Sequence, residues 1–98
     1  MTLSRAQQAH LKSAQELAAI AGVELTVEIE ELFSRTSLRI TGKTSNDVWI
    51  TFYVGPRGAI KFAGGMSGYH RITEKRVKSL AANQRWLREE ILKQRKAA

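Results

Sequence analysis

The feature that most constrains the fold is a change of hydrophobic period at Val23. Before it, residues 5–21 are rich in Ala, Leu, Gln and Lys, follow a capping box of Ser4 and Gln7, and end at Gly22, which together predict a helix. After it, apolar and polar residues alternate from residue 23 to residue 30, the pattern of a half-buried strand. A helix that leads directly into strands predicts an α+β fold.

Three further strands and a second helix are predicted after the first strand. Residues 35–41 and 48–54 alternate in the same way, and a turn at residues 55–58 leads into a short strand over residues 59–63. Thr73 is a suitable N-cap for a long helix that continues to about Lys93. The short connections favour the order α-β-β-β-β-α, with an antiparallel sheet of four strands, or of three, and both helices on one face.

One core is expected to serve the whole chain. A length of 98 residues is close to the usual size of one domain, so residues 1–98 are expected to form a single domain. The expected core residues are Leu17, Val27, Ile29, Ile40, Ile50, Phe52, Leu80 and Leu87.

The chain is strongly basic, with a formal net charge of +7. Residues 72–98 hold eight Lys or Arg against three Glu, so the positive charge is concentrated towards the C-terminal end. Such a surface favours nucleic acid, a nucleoprotein complex or an acidic protein as the partner. The chain has no cysteine and no apolar run of membrane-spanning length, from which we expect a cytoplasmic protein that does not act at a membrane.

The outer face of the predicted second helix is the first candidate binding surface. A helical projection places Trp86 among cations on the exposed side, where its indole would stack on a base or anchor a partner. In the alternative interpretation Trp86 packs against the first helix, the chain termini or a second subunit. The cations are then a solvated face in which Glu89 pairs with Arg85 and Lys93. The cations are Lys75, Lys78, Arg85, Lys93 and Lys96.

A predicted glycine-rich loop over residues 64–71 is the second candidate. It precedes a helix and carries the possible donors Ser67, Tyr69, His70 and Arg71, which favours binding of a phosphate or carboxylate. The alternative is a flexible connection that needs glycine for its backbone angles.

The open face of the predicted sheet is the third candidate. Trp49, Thr51 and Tyr53 would lie beside cations of the neighbouring strands and form a platform on which single-stranded nucleic acid stacks. In the alternative interpretation, acidic residues of the first strand form cross-strand ion pairs there. The cations are Arg39 and Lys61, and the acids are Glu24, Glu28 and Glu30.

The residues provide little for catalysis. His10 projects onto the apolar face of the first helix, where a structural histidine is expected, and His70 is the second of two histidines. Asp47 is the sole aspartate, and the spacing of the glutamates gives no pair of metal-binding carboxylates. We therefore expect a protein that is not an enzyme and needs no metal or cofactor.

Three classes of protein offer resemblances. In the order of its elements the chain resembles a double-stranded RNA-binding domain, but Gly55 and Pro56 follow the third predicted strand, whereas that family has its Gly-Pro loop between the first two. Small basic RNase toxins are similar in size and use His, Tyr, Arg and Lys without metal, and Tyr69, His70 and Arg71 resemble a fragment of such a set. Phage-encoded inhibitors of host nucleoprotein machinery are similar in size and charge. No residue role is carried over from these classes.

The sequence thus predicts a binding module that contacts nucleic acid or a nucleoprotein complex through the C-terminal helix. Two alternatives remain open: an inhibitor or accessory factor that binds an acidic protein, and a metal-independent RNase. The predicted contact residues are Lys75, Lys78, Arg85, Trp86, Lys93, Tyr69, His70 and Arg71.

Overall fold

The computed structural model, which describes residues 2–32, 34–45 and 47–97, confirms the α+β class. The described residues form three α-helices, α1 (Arg5–Ala21), α2 (Glu74–Ala81) and α3 (Arg85–Ala97). Between α1 and α2, the same described residues form five strands, namely β1 (Leu25–Leu32), β2 (Arg35–Lys43), β3 (Val48–Val54), β4 (Ile60–Ser67) and β5 (His70–Ile72). They form one sheet in the order β1-β2-β3-β4-β5, each antiparallel to its neighbour.

The segment predicted as a loop over residues 64–71 is instead the end of β4, a turn and β5. The sequence does not show this part of the strand, because Gly64 and Gly65 contribute no side chain to the alternation of apolar and polar residues. At Gly65 a Cβ would overlap the carbonyl oxygen of Trp49, so the close approach of β3 and β4 requires glycine at this position. The turn after β4 uses Gly68 with a φ of 60°, in the left-handed region that glycine adopts readily.

The predicted cap of α1 is confirmed, and it also holds the helix on the sheet. The Ser4 side chain accepts a bond from Gln7 N–H, and the Gln7 side chain accepts one from Ser4 N–H. Gln7 is fully buried, and its Nε2 donates at 2.9 Å to the carbonyls of Thr36 in β2 and Val54 in β3. One amide therefore satisfies the helix start and two strand carbonyls, as buried polar groups require.

The second helix is not continuous, and its predicted extent from Thr73 to Lys93 is wrong. The Thr73 cap is confirmed, but a 3₁₀ turn over Ala82–Gln84 separates α2 from α3. Asn83 and Gln84 have φ values of 52° and 56°, which no α-helix can contain. The helical phase is reset at this break, so a projection that runs through it assigns the wrong face to the residues of α3.

The helices cover one face of the sheet and enclose the core. Of the eight expected core residues, Ile40, Ile50, Phe52, Leu80 and Leu87 are buried, while Leu17 and Val27 are half-buried and packed against that core. The expectation for Ile29 is wrong, because it is 43% exposed. It lies on the edge strand β1, where strands pair with it on one side only. None of the helices formed by the described residues is long and apolar enough to cross a membrane.

Candidate functional site

Trp86 belongs to the core, so the prediction that its indole is exposed is wrong. It is 3% exposed and packs edge-on against Phe52, with ring centroids 6.3 Å apart. The break at Asn83 turns the residue towards the sheet, where Gly42 leaves room for it. Its Nε1–H is buried and finds no acceptor among the described residues. Trp86 is therefore not available to stack on a base.

The predicted cations of the second helix do not lie on one helical face in the structure. Lys75 and Lys78 lie on α2, where Lys78 pairs with Glu74 at 3.1 Å. Arg85 lies on α3 beyond the break and pairs with Glu89 at 3.3 Å, as the alternative interpretation predicted. Lys93 lines a cavity of about 150 Å³ that Trp86 also lines. These side chains therefore lie on two helices, α2 and α3, rather than on one continuous helical face.

The three predicted contact residues after β4 lie on the β4–β5 hairpin. Tyr69 at its tip is 99% exposed, and His70 and Arg71 are also exposed. A Tyr ring held clear of the protein at a hairpin tip is unusual, since burial of an aromatic ring normally stabilises the fold. The hairpin therefore exposes an aromatic ring at its tip, and Arg71, which pairs with Met66, lies on the open face while His70 alternates to the other face. The segment is a hairpin rather than the loop that was predicted.

The face of the sheet away from the helices carries a cross-strand row of four exposed side chains. Lys43 in β2 is paired with Trp49 in β3, Trp49 with Met66 in β4, and Met66 with Arg71 in β5. Trp49 and Met66 are 39% and 37% exposed. Strands are spaced by about 4.8 Å, so this row spans roughly 14 Å and ends at a cation on either side, of which Lys43 pairs with Asp47 at 3.1 Å on the exposed surface. We name these four residues the Trp49 row.

A second cross-strand row crosses the same face four residues further along β3. Arg39 lies between Glu28 and Tyr53 and approaches the carboxylates of Glu28 and Glu30 at 3.7 and 3.8 Å. The Tyr53 hydroxyl donates to Glu30 at 3.0 Å. Burial and the Glu30 carboxylate raise the pKa of Tyr53 above 10.0. The ion-pair alternative for the open face therefore describes this row, while the Trp49 row keeps its aromatic surface accessible.

A β-bulge adds another aromatic ring to the open face. The register between β3 and β4 shifts between Thr51 and Tyr53, and Phe62 has a φ of 48° at this point. Its ring is 53% exposed and packs edge-on against Tyr53, with centroids 6.0 Å apart. Strict alternation after Lys61 would direct Phe62 to the helix side. The bulge instead turns it towards solvent, as bulges commonly do beside functional sites.

Sequence reasoning found Trp49 and Arg71 but missed the row that joins them. Lys43, Met66 and Phe62 had no signal of their own, because their position depends on strand register and on the bulge. No three His, Asp or Glu side chains of the described segments lie close enough together to hold a metal ion. The open face offers aromatic surface for stacking and cations for anionic groups.

A functional proposal for this protein depends on the side chains of the open face and the hairpin. The Trp49 row and the hairpin form a continuous surface, since Arg71 belongs to both. The chain matches no protein-family model, no curated protein and no solved structure.

Proposed function

We propose that this protein is a non-enzymatic module that binds nucleic acid through the open face of its sheet and the β4–β5 hairpin. The observation that carries the proposal is the Trp49 row, in which an exposed indole and thioether lie between Lys43 and Arg71. Cations neutralise phosphates and aromatic rings stack on bases, so the row matches both chemical parts of a nucleotide chain.

Nucleic acid explains the composition of this surface better than an acidic protein does. Carboxylates on a protein need cations but no stacking surface, whereas exposed aromatic rings beside cations suit bases and phosphates together. Tyr69 at the hairpin tip extends the aromatic surface beyond the row. The net charge of +7 adds long-range attraction for a polyanion.

The contact surface proposed here differs from the helical face that the sequence predicted. The burial of Trp86 removes the aromatic group from that face. The cations Lys75 and Arg76 on α2 are exposed and are assigned to general attraction of the polyanion. Tyr69, His70 and Arg71 remain predicted contact residues.

The test is the salt dependence of binding to naked nucleic acid. We expect the Lys43→Ala/Arg71→Ala variant to bind more weakly and to lose up to about two units from the slope of log affinity against log salt, since each lost phosphate contact removes roughly 0.7 to 0.9 units. The matched control is Arg5→Ala/Lys12→Ala, which removes the same charge from exposed positions on α1. Fluorescence anisotropy with a labelled oligonucleotide measures both.

Three outcomes would contradict the proposal. Equal losses in both double variants would show that net charge alone decides binding and that the open face has no special role. Capture of a protein partner from cell extract that survives nuclease treatment, with no affinity for naked nucleic acid, would favour the inhibitor alternative. Cleavage of the oligonucleotide that His70→Ala abolishes would instead identify a nuclease.

A further inference from the structure

A line of small side chains lies between the two rows of the open face. Thr26 pairs with Thr41, Thr41 with Thr51, and Thr51 with Gly64. A Cβ built on Gly64 would meet no atom within 4 Å, so the surface above this glycine is open. At about 3.3 Å per residue, Trp49 and Tyr53 lie roughly 13 Å apart along β3. The line is therefore the floor of a shallow trough with aromatic rings on both sides.

The trough contains a depression beside Trp49. A depression of about 350 Å³ there is lined by Trp49, Thr26, Thr41 and Lys43, together with Gly22, Glu24 and Gly42. The hydroxyls of Thr41 and Thr51 lie 2.8 Å apart and bond to each other. This floor offers small polar groups to the edge of a flat ring, while Trp49 offers a face on which the ring can stack.

The bulge at Phe62 supplies the second aromatic ring of the trough. A φ of 48° is an uncommon conformation for a bulky aromatic residue. It leaves the ring 53% exposed and packed edge-on against Tyr53 on the open face, whereas strict alternation would direct it inward. Its effect is to place a second aromatic ring on the side of the trough opposite Trp49.

Charges limit the path of a ligand across the face. Glu28 and Glu30 occupy the β1 side and are only partly compensated by Arg39, at 3.7 and 3.8 Å. A phosphate chain is repelled there and attracted at Arg71 and at Lys43, whose exposed pair with Asp47 at 3.1 Å leaves its ammonium group open to solvent. A duplex, which hides its bases inside the stack, gains little from a flat aromatic face.

From these observations we propose that the ligand is single-stranded nucleic acid, with unpaired bases stacked on Trp49 and Phe62 across the trough. The inference rests on the proposed function and specifies its substrate. The roughly 13 Å between Trp49 and Tyr53, beside which Phe62 packs, corresponds to about two or three nucleotides, which is the number of bases that an exposed aromatic sheet commonly stacks.

The experiment compares one labelled oligonucleotide of about 10 nucleotides, within the range of a small binding domain, as a single strand and as a duplex with its complement. RNA and DNA versions are both measured, since the stacking chemistry is common to them. We expect the single strand to bind at least about tenfold more tightly. Trp49→Ala and Phe62→Gly are each expected to weaken single-strand binding by about fivefold or more, the lower end of the effect of one stacked base.

Phe62→Gly separates binding from folding. Glycine adopts a φ of 48° without strain, so this variant is expected to melt at or above the temperature of the parent while it loses affinity. Phe62→Asn, which also tolerates the left-handed region, is the second variant. The matched control on the helix side is Leu92→Ala, which removes an exposed apolar side chain from α3.

The outcomes distinguish the inference from the function beneath it. Equal or tighter binding of the duplex would overturn the single-strand inference and leave nucleic-acid binding intact. Full single-strand affinity in both Trp49→Ala and Phe62→Gly would overturn the stacking site. Failure to bind either form would reject the proposed function itself.

Discussion

At the scale of single residues, Gly42 and Trp86 decide how the helical layer meets the sheet. A Cβ on Gly42 would lie 2.6 Å from Cη2 and 3.0 Å from Cζ3 of Trp86. The indole therefore occupies the space that a side chain at position 42 would need. Glycine inside a strand normally weakens it, but here it permits the close approach of a large core residue.

Trp86→Ala is expected to destabilise the protein by about 3 to 5 kcal/mol, because it leaves a large cavity between α3 and β2. Urea unfolding followed by circular dichroism measures the loss. Trp49→Ala is the control, since the same substitution on the open face creates no buried cavity and is expected to cost much less. If both variants unfold at the parent's urea concentration, the core described here is incorrect.

At the scale of elements, the break between α2 and α3 determines which residues face the core. Asn83 is exposed, and its backbone carbonyl accepts a bond from Arg88 Nε at 2.9 Å. Gln84 is buried, and its Nε2 donates to the carbonyl of His10 in α1 at 3.3 Å. Hydrogen bonds to α3, through Arg88, and to α1, through the carbonyl of His10, thus hold the break in place. Trp86 is buried as a result.

Asn83→Val is expected to destabilise the protein by about 1 to 3 kcal/mol, because a β-branched residue is strained at a φ of 52°. Asn83→Gly is the matched control and is expected to remain within a few tenths of a kcal/mol of the parent. The melting temperatures of the two variants test the assignment. A fully stable Asn83→Val would mean that the helix continues through this position.

At the scale of the whole molecule, the fold is two layers that meet at one apolar interface. His10 lies between them, with its ring 5.7 Å from that of Phe52 and its Nε2 buried without a partner among the described residues. Burial lowers the pKa of His10 below 6.5. Protonation of this one side chain therefore acts against the contact between the layers.

The pH dependence of unfolding follows from the sign of this shift. The folded state binds the proton of His10 less readily than the unfolded state does, so the stabilisation is complete above pH 6.5 and is lost progressively as the pH falls below it. His10→Gln should flatten the dependence between about pH 6.5 and 5. His70→Gln, at an exposed position, should retain it. Thermal unfolding across this pH range measures both, and an unchanged profile in His10→Gln would refute the assignment.

The sequence predicted most of the fold because hydrophobic period and capping are local properties. The α1 cap at Ser4, the bounds of β3 and the Thr73 cap all depend on residues within one element. The sequence did not predict the strand through Gly64 and Gly65, because these residues have no side chain to show the alternation. It did not predict the break at Asn83, because Asn occurs in helices as well as in the left-handed conformation. The candidate site was predicted in part. Trp49, Tyr69 and Arg71 were named as candidate residues, but the sequence did not place them on one surface.

By itself, then, the sequence determined the α+β class, the antiparallel meander, the open sheet face and the excess of positive charge. Tertiary structure alone decided that Trp86 is buried and that Lys43, Trp49, Met66 and Arg71 form one row. The physical reason is the range of the interactions. The helix phase after a break depends on what the next turn packs against. A cross-strand row depends on the register of four strands, including β4 with its bulge at Phe62, and long-range pairing fixes that register.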